Sequence, residues 1–169
     1  MPSEAEPFDP VPLVRALARA GVDFVVIGGV AGGSYGSAFA TGDLDVAYAR
    51  DRANLDRLAA VLAELQASLR GAPEDLPFVL DAKTLENGAN FTFLTRHGSL
   101  DLLAEPAGAP SYKKLSSAAT IARIGGFEIR IASLDHLIAM KEAAGRPKDQ
   151  LMATEYRLLS DVLRAPKDG

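Results

Sequence analysis

The segment that decides the fold runs from Asp23 to Asp45 and reads DFVVIGGVAGGSYGSAFATGDLD. Its first five residues predict a strand, and Gly28 and Gly29 follow directly. The segment closes on Asp43 and Asp45, which flank a leucine. Because side chains alternate between the two faces of a strand, both carboxylates point the same way.

These glycines and carboxylates indicate a site for a nucleoside triphosphate. Two carboxylates side by side on one strand repel each other, and a divalent cation such as Mg²⁺ or Mn²⁺ would neutralise that repulsion. Gly28 and Gly29 let backbone N–H groups approach an anion closely, as they do in phosphate-binding turns. Glycines for phosphate and carboxylates for metal together predict triphosphate binding.

The spacing resembles the signature of the DNA polymerase β-like minimal nucleotidyltransferases. Thirteen residues separate Gly28-Gly29 from the Asp-x-Asp motif that begins at Asp43. The Thr-x-Asp-x-Asp form that begins at Thr41 is similar to that of small bacterial members, including the AbiEii-type group associated with toxins and antitoxins. Segments 133–141 (SLDHLIAMK) and 146–149 (RPKD) resemble a helix pair of the same group.

The resemblance implies a role for individual residues. Asp43, Asp45 and Asp101 are the implied catalytic and metal-binding carboxylates, with Asp101 as the family's third carboxylate on a neighbouring strand. The implied contacts with the nucleotide come from Gly28, Gly29, Ser34, Thr41, Lys141, Arg146 and Lys148. Of these, Lys141 is expected to meet the β- and γ-phosphates.

Structural alternatives remain for the three carboxylates and for Lys141. Asp43 and Asp45 could be two solvated carboxylates that follow a loop. Asp101 lies in an apolar strand, where a carboxylate is costly unless it is paired, metal-bound or on an open face. It could pair with Arg96 or Arg130 instead of a metal. Lys141 could be a solvated lysine near the end of a helix, where a positive charge is favourable.

The resemblance implies transfer of a nucleoside monophosphate from a triphosphate to a hydroxyl, with Mg²⁺ or Mn²⁺ as cofactor. Relatives modify tRNA ends, proteins or small molecules such as antibiotics. We favour an acceptor on RNA or protein and a cognate toxin or antitoxin as partner. Relatives often carry an arginine where this chain has Phe39. The alternative is therefore a catalytically weak protein that keeps the fold and binds a nucleotide or a partner.

Composition limits the class of protein. The chain has 169 residues, 48% of them hydrophobic and 24% charged, which predicts one globular domain over 9–165 after a disordered segment 1–8. The net charge of −4 gives no general attraction for nucleic acid. Cysteine is absent, and the N-terminus lacks the basic and apolar regions of a signal peptide.

The uncharged stretch 24–42 is rich in glycine, which favours a loop over a membrane span. We expect a cytoplasmic protein.

The pattern of elements predicts an α/β (α+β) fold, a mixed β-sheet flanked by helices with a C-terminal helix pair. Strands are expected at 23–27 and 43–48, an edge strand at 78–80, and hairpins over 91–103 and 120–131. A helix precedes Gly21, and a longer one starts after Asp51 with Gly71 beyond its end. Segment 81–89 is expected to be irregular. The final pair covers 134–144 and 147–163.

Two other motifs are excluded by their context. Residues 32–36 fit G-x-S-x-G, but a hydrolase elbow needs a substantial helix after the serine, and 37–42 does not offer one. The glycines fit neither G-x-G-x-x-G in register nor a P-loop with its lysine.

Overall fold

The computed structural model describes residues 6–73, 75 and 80–166. Its elements are α1 (Val11–Arg19), β1 (Phe24–Ile27), α2 (Gly28–Ser34), β2 (Asp43–Tyr48), α3 (Arg52–Glu64), β3 (Ser68–Leu69), α4 (Ala82–Asn87), β4 (Asn90–Thr95), β5 (Gly98–Leu103), α5 (Tyr112–Ser117), β6 (Thr120–Ile124), β7 (Phe127–Ile131), α6 (Leu134–Ala144) and α7 (Pro147–Arg164). The predicted mixed sheet, its flanking helices and the closing helix pair are confirmed.

Within these residues the strands form one sheet in the order β3-β4-β5-β2-β1-β7-β6. β2 lies at its centre, antiparallel to β1 and parallel to β5. The two predicted hairpins are β4-β5 and β6-β7, and β7 runs parallel to β1. The central position of β2 brings its first residues next to the start of β5.

The two faces of β2 differ in burial over the first four residues of the strand. Leu44, Val46 and Tyr48 are fully buried and belong to one hydrophobic core with the leucines of α1 and α3. Asp43 and Asp45, on the opposite face, are half-buried. Apolar burial on one face therefore fixes the register that turns both carboxylates to the other face.

The structure corrects the predicted end of α3. The helix stops at Glu64 because Gln66 takes a left-handed conformation, with φ of 55°. Ala67 N–H donates to Leu62 and Gln66 N–H donates to Ala63, which is the bonding of a Schellman motif. Glycine usually fills this position, so a glutamine there carries no recognisable signal that the helix ends. The chain then forms the short strand β3, which pairs with β4.

Two short helices also differ from the prediction. α4 lies where irregular structure was expected: Asp81 caps it by accepting from the N–H of Thr84 at 2.8 Å, and Leu85 is buried beneath it. α5 was not predicted, and Ser111 caps it in the same way. Helices of one and a half turns carry too little periodicity to be read from sequence.

The predicted edge strand and disordered segment fall partly outside the described residues. Residues 78 and 79 are not described, and Leu80 has no regular structure. Residues 1–5 are likewise outside the description. Phe8, which was predicted to be disordered, packs against the hydrophobic core and lies close to Gly98.

Helix α2 depends on close packing against α7. A Cβ on Gly32 would overlap the buried Tyr156 ring, with Cζ at 2.7 Å, whereas a Cβ on Gly33 would meet no atom within 4 Å. We therefore expect Gly32→Ala to destabilise the protein by about 1–3 kcal/mol through overpacking. Gly33→Ala, the matched control, should be neutral or stabilising by up to about 1 kcal/mol. Urea unfolding of both variants tests this, and equal midpoints would contradict it.

Candidate active site

Three carboxylates converge where β2 and β5 lie side by side. Asp45 is the register partner of Asp101, and Asp43 lies two residues before Asp45 on the same face. One carboxylate oxygen from each of the three lies within 4.8 Å of the others. The structure thus brings together the three residues that the family resemblance implied as metal ligands, which we call the carboxylate triad.

Crowding and burial change the proton affinity of the triad. Burial raises the pKa of Asp45 from 3.8 to about 7, and the negative charges of Asp43 and Asp101 add to the shift. Burial also raises the pKa of Asp101, with Asp43 contributing in the same direction. Hard oxygen ligands that repel one another fit Mg²⁺ or Mn²⁺, since such a cation favours their charged forms.

The glycine pair allows close packing beside the triad. Gly28 has φ of 68°, and a Cβ there would overlap Oδ2 of Asp45. At Gly29 a Cβ would lie 2.7 Å from Cβ of Thr41. The hydroxyl of Thr41 in turn donates to the backbone carbonyl of Asp43 at 3.1 Å. These glycines therefore let the start of α2 and the loop before β2 approach the carboxylates.

The basic residues of the site lie at the junction of α6 and α7. Lys141 Nζ lies 3.3 Å from Oδ1 of Asp149, and Arg146 Nε lies 2.7 Å from its Oδ2. Asp149 is only 2% exposed, and its pKa is lowered mainly by the hydrogen bond from Arg146 and further by Lys141. Lys148 lies beside them, exposed and without an ion pair among the described residues.

Asp149 has two roles at the α6–α7 junction. It accepts from the backbone N–H of Arg146, as a residue in the first turn of α7 should. Its carboxylate also holds Lys141 and Arg146 at one place, which is a positioning role. Its almost complete burial, invisible in the sequence, is what distinguishes it from an ordinary cap.

A cleft of about 600 Å³ joins these groups. Its lining includes all three triad carboxylates and most of the predicted nucleotide contacts. The predicted residues that line it are Gly29, Thr41, Asp43, Asp45, Asp101, Lys141, Arg146 and Lys148. An adjoining cavity of about 230 Å³ is lined by Gly28 and by apolar side chains, among them Leu137 and Met140, and shares Asp45 and Lys141 with the cleft.

Solved structures share this arrangement of elements. Lincosamide antibiotic adenylyltransferase LnuA, bound to lincomycin, matches with a TM-score of 0.58 and 10% identity, over 88% of this chain and 94% of its own. ANT(2″)-Ia in complex with adenylyl-2″-tobramycin gives 0.56 and 18%, over 90% and 88%. An antigenic nucleotidyltransferase-like protein from Paracoccidioides brasiliensis gives 0.51 and 17%, over 93% and 75%. The chain has the nucleotidyltransferase fold. No protein-family model and no curated protein matches it.

One predicted nucleotide contact lies outside the cleft. Ser34 ends α2, and its hydroxyl donates to the carbonyl of Ala31 at 2.7 Å. It is not among the residues that line the cleft. Phe39 occupies the position where relatives often carry an arginine. Its side chain packs against the hydrophobic core.

Sequence reasoning missed Arg70. Asp101 pairs with this arginine, at 3.2 Å from Nη2 to Oδ1, and not with Arg96 or Arg130. Arg130 instead binds Asp23 at 3.3 Å. Arg70 was predicted to lie at the end of a long helix, so no signal placed it near the triad.

The helices in the described part of the chain include none with the length and apolar character that a membrane span requires.

Proposed function

We propose that the chain is a metal-dependent nucleotidyltransferase, which moves a nucleoside monophosphate from a triphosphate to an acceptor hydroxyl. The observation that carries this proposal is the convergence of three carboxylates from two strands on a cleft with basic residues on one side. The nucleotidyltransferase fold supports it independently. We assign this activity to a single domain over 9–165, acting in the cytoplasm.

The carboxylate triad would hold Mg²⁺ or Mn²⁺. Asp43, Asp45 and Asp101 offer the oxygen ligands that these ions prefer. A bound cation would also relieve the repulsion between the three carboxylates, which favours its binding. When bound, such an ion stabilises the attacking and leaving oxygens of an in-line displacement at phosphorus. Asp101 is placed on the second strand, where it would help orient the acceptor hydroxyl.

The basic side of the cleft would bind the phosphates. Lys141 and Arg146 are already held together by Asp149, so little side-chain freedom is lost when an anion binds. Their charge would offset the negative charge that develops on departing pyrophosphate. Gly29 and Thr41 line the same cleft and keep the backbone close to the triad.

The acceptor we propose is RNA, such as a tRNA end, or a protein, within a toxin–antitoxin pair as the AbiEii-type resemblance implies. The neighbours with bound lincomycin and adenylyl-2″-tobramycin support a small-molecule acceptor as the other candidate. The net charge of −4 also gives nucleic acid no general attraction. A binding protein without turnover is the remaining alternative.

One labelling experiment separates these acceptors. Each α-³²P-labelled triphosphate is incubated with the protein, cell extract and Mg²⁺ or Mn²⁺, with EDTA as the control. Label in RNA, protein or the small-molecule fraction identifies the acceptor class. Absence of transfer, together with equal triphosphate affinity with and without EDTA in calorimetry, would contradict the proposed function. Metal-dependent affinity without transfer would favour the binding protein.

Lys141→Ala is expected to weaken binding of a triphosphate about tenfold or more and to change monophosphate binding little. A lysine aimed at the β- and γ-phosphates has no partner in a monophosphate, and a charge-assisted contact contributes about 1.5–3 kcal/mol. Lys113→Ala, on the exposed surface of α5, is the charge-matched control. Calorimetry with ATP and AMP in Mg²⁺ measures both, and equal losses for the two ligands would return Lys141 to a structural role.

A further inference from the structure

Arg70 lies in one row with two members of the carboxylate triad. Asp45, Asp101 and Thr92 are register partners across β2, β5 and β4. The backbone N–H of Arg70 donates to the carbonyl of Thr92 at 2.9 Å. This bond holds Arg70 beside β4, on the side of β4 opposite to β5. From there its guanidinium reaches back to Oδ1 of Asp101 at 3.2 Å.

This contact gives the triad its single ion pair among the described residues. Asp43 and Asp45 have no cationic partner within ion-pair distance in that part of the chain, although their carboxylates crowd Asp101. The Asp101 side chain is 15% exposed and that of Arg70 is 39% exposed, so the pair sits at the edge of the cleft with an open path to solvent. Arg70 can therefore leave without disturbing the core.

We propose that Arg70 is a positioning residue that occupies a cation's place at Asp101 and gives up this contact when a divalent ion binds the triad. The inference rests on the proposed function, because it takes the triad to be a metal site. A guanidinium and a divalent cation on the same carboxylate repel each other strongly in a partly buried site. The ion pair therefore competes with the metal, and it holds Asp101 in place until the metal arrives.

The test is direct titration of the nucleotide-free protein with Mn²⁺ by calorimetry. We expect Arg70→Gln to bind Mn²⁺ about three- to tenfold more tightly than the wild type, because the competing pair is lost. Arg70→Lys keeps the charge without the planar fork and should show a smaller gain. Arg96→Gln, at the exposed β4–β5 turn and outside the cleft, controls for the loss of one positive charge and should stay within about twofold.

Thermal melts give a second readout that a purely structural role would not produce. Without metal, Arg70→Gln should melt a few degrees below the wild type, since three carboxylates then lack a counter-ion. Mn²⁺ should raise its melting temperature by more than that of the wild type, because it binds the variant more tightly. A uniformly lower melting temperature with and without Mn²⁺ would indicate only lost packing and would overturn the inference.

The remaining outcomes of the Mn²⁺ titration distinguish a failure of this inference from a failure of the proposed function. Unchanged or weaker Mn²⁺ binding by Arg70→Gln overturns this inference alone and leaves the metal site intact. Absence of Mn²⁺ binding by the nucleotide-free wild type overturns this inference, whereas the proposed function is overturned by the labelling and EDTA experiments described above. Gains of equal size in Arg70→Gln and Arg96→Gln would show a general charge effect and would also overturn the specific role of Arg70.

Discussion

Asp43→Asn is expected to lower the rate of nucleotidyl transfer by about 1000-fold or more, while the metal-free protein stays as stable as the wild type or becomes more stable. The loss of rate follows from removing one charged ligand of the ion at the phosphorus, where several kcal/mol of transition-state stabilisation arise. The stability follows from the surroundings of Asp43. Among the described residues it makes no ion pair, and its charge raises the pKa values of Asp45 and Asp101.

The amide also preserves the local contacts of Asp43. The hydroxyl of Thr41 donates to the backbone carbonyl of residue 43 at 3.1 Å and to Oδ1 at 3.4 Å, and both acceptors remain in asparagine. Neutralising one of three crowded carboxylates therefore removes repulsion at little cost, which is a common trade-off between stability and function at active sites.

Thermal melts with and without Mg²⁺ and ATP, combined with the labelling assay, measure both effects. The wild type should gain stability from Mg²⁺ and ATP, because these ligands bind the native state, and Asp43→Asn should gain little. Asp161→Asn, on the exposed surface of α7, is the matched control and should behave as wild type in every assay. A destabilised metal-free Asp43→Asn variant with an unchanged response to ligand would remove Asp43 from the metal site.

Much of the fold could be predicted because its signals are local. The alternation of β2 placed Asp43 and Asp45 on one face, and apolar burial on the other face holds them there. Gly125 and Gly126, both with positive φ, make the predicted turn of β6-β7, and Gly145 ends α6 in the left-handed conformation. By contrast, β3 depends on an unusual left-handed glutamine and on pairing with β4, and neither leaves a local pattern.

The parts of the site that sequence reasoning missed depend on long-range contacts. Asp101 could be proposed as the third carboxylate, but its partner Arg70 is 31 residues away and becomes a neighbour only through the β3-β4-β5 register. The capping signal of Asp149 is local, whereas its contact with Lys141 requires α6 and α7 to pack together. Ser34 also depends on its context, because the short helix α2 provides its hydroxyl with an acceptor at Ala31 and the residue does not line the cleft.

The folding stability of the metal-free protein is expected to fall as pH rises from about 4 to about 7, and Asp45 is the main cause within the triad. In the unfolded chain Asp45 ionises near its ordinary pKa of 3.8, whereas in the folded protein burial and neighbouring carboxylates raise that pKa to about 7. Between these values the native state holds a proton that the unfolded state has released. Stability therefore decreases with pH in this window, and the loss is complete above pH 7.

The size of this effect can be isolated by comparing the wild type with Asp45→Asn. The two pKa values differ by an amount equivalent to roughly 4 kcal/mol at most, and we expect on the order of 2–4 kcal/mol. Urea unfolding from pH 4 to pH 8 in EDTA should show Asp45→Asn overtaking the wild type as pH rises, because its amide does not ionise. Asp161→Asn should run parallel to the wild type. Saturating Mn²⁺ should reverse the trend in the wild type, since the metal binds the ionised carboxylates and stabilises the native state more as they lose protons. A constant difference between Asp45→Asn and the wild type at every pH would show that Asp45 is not the strained carboxylate of this site.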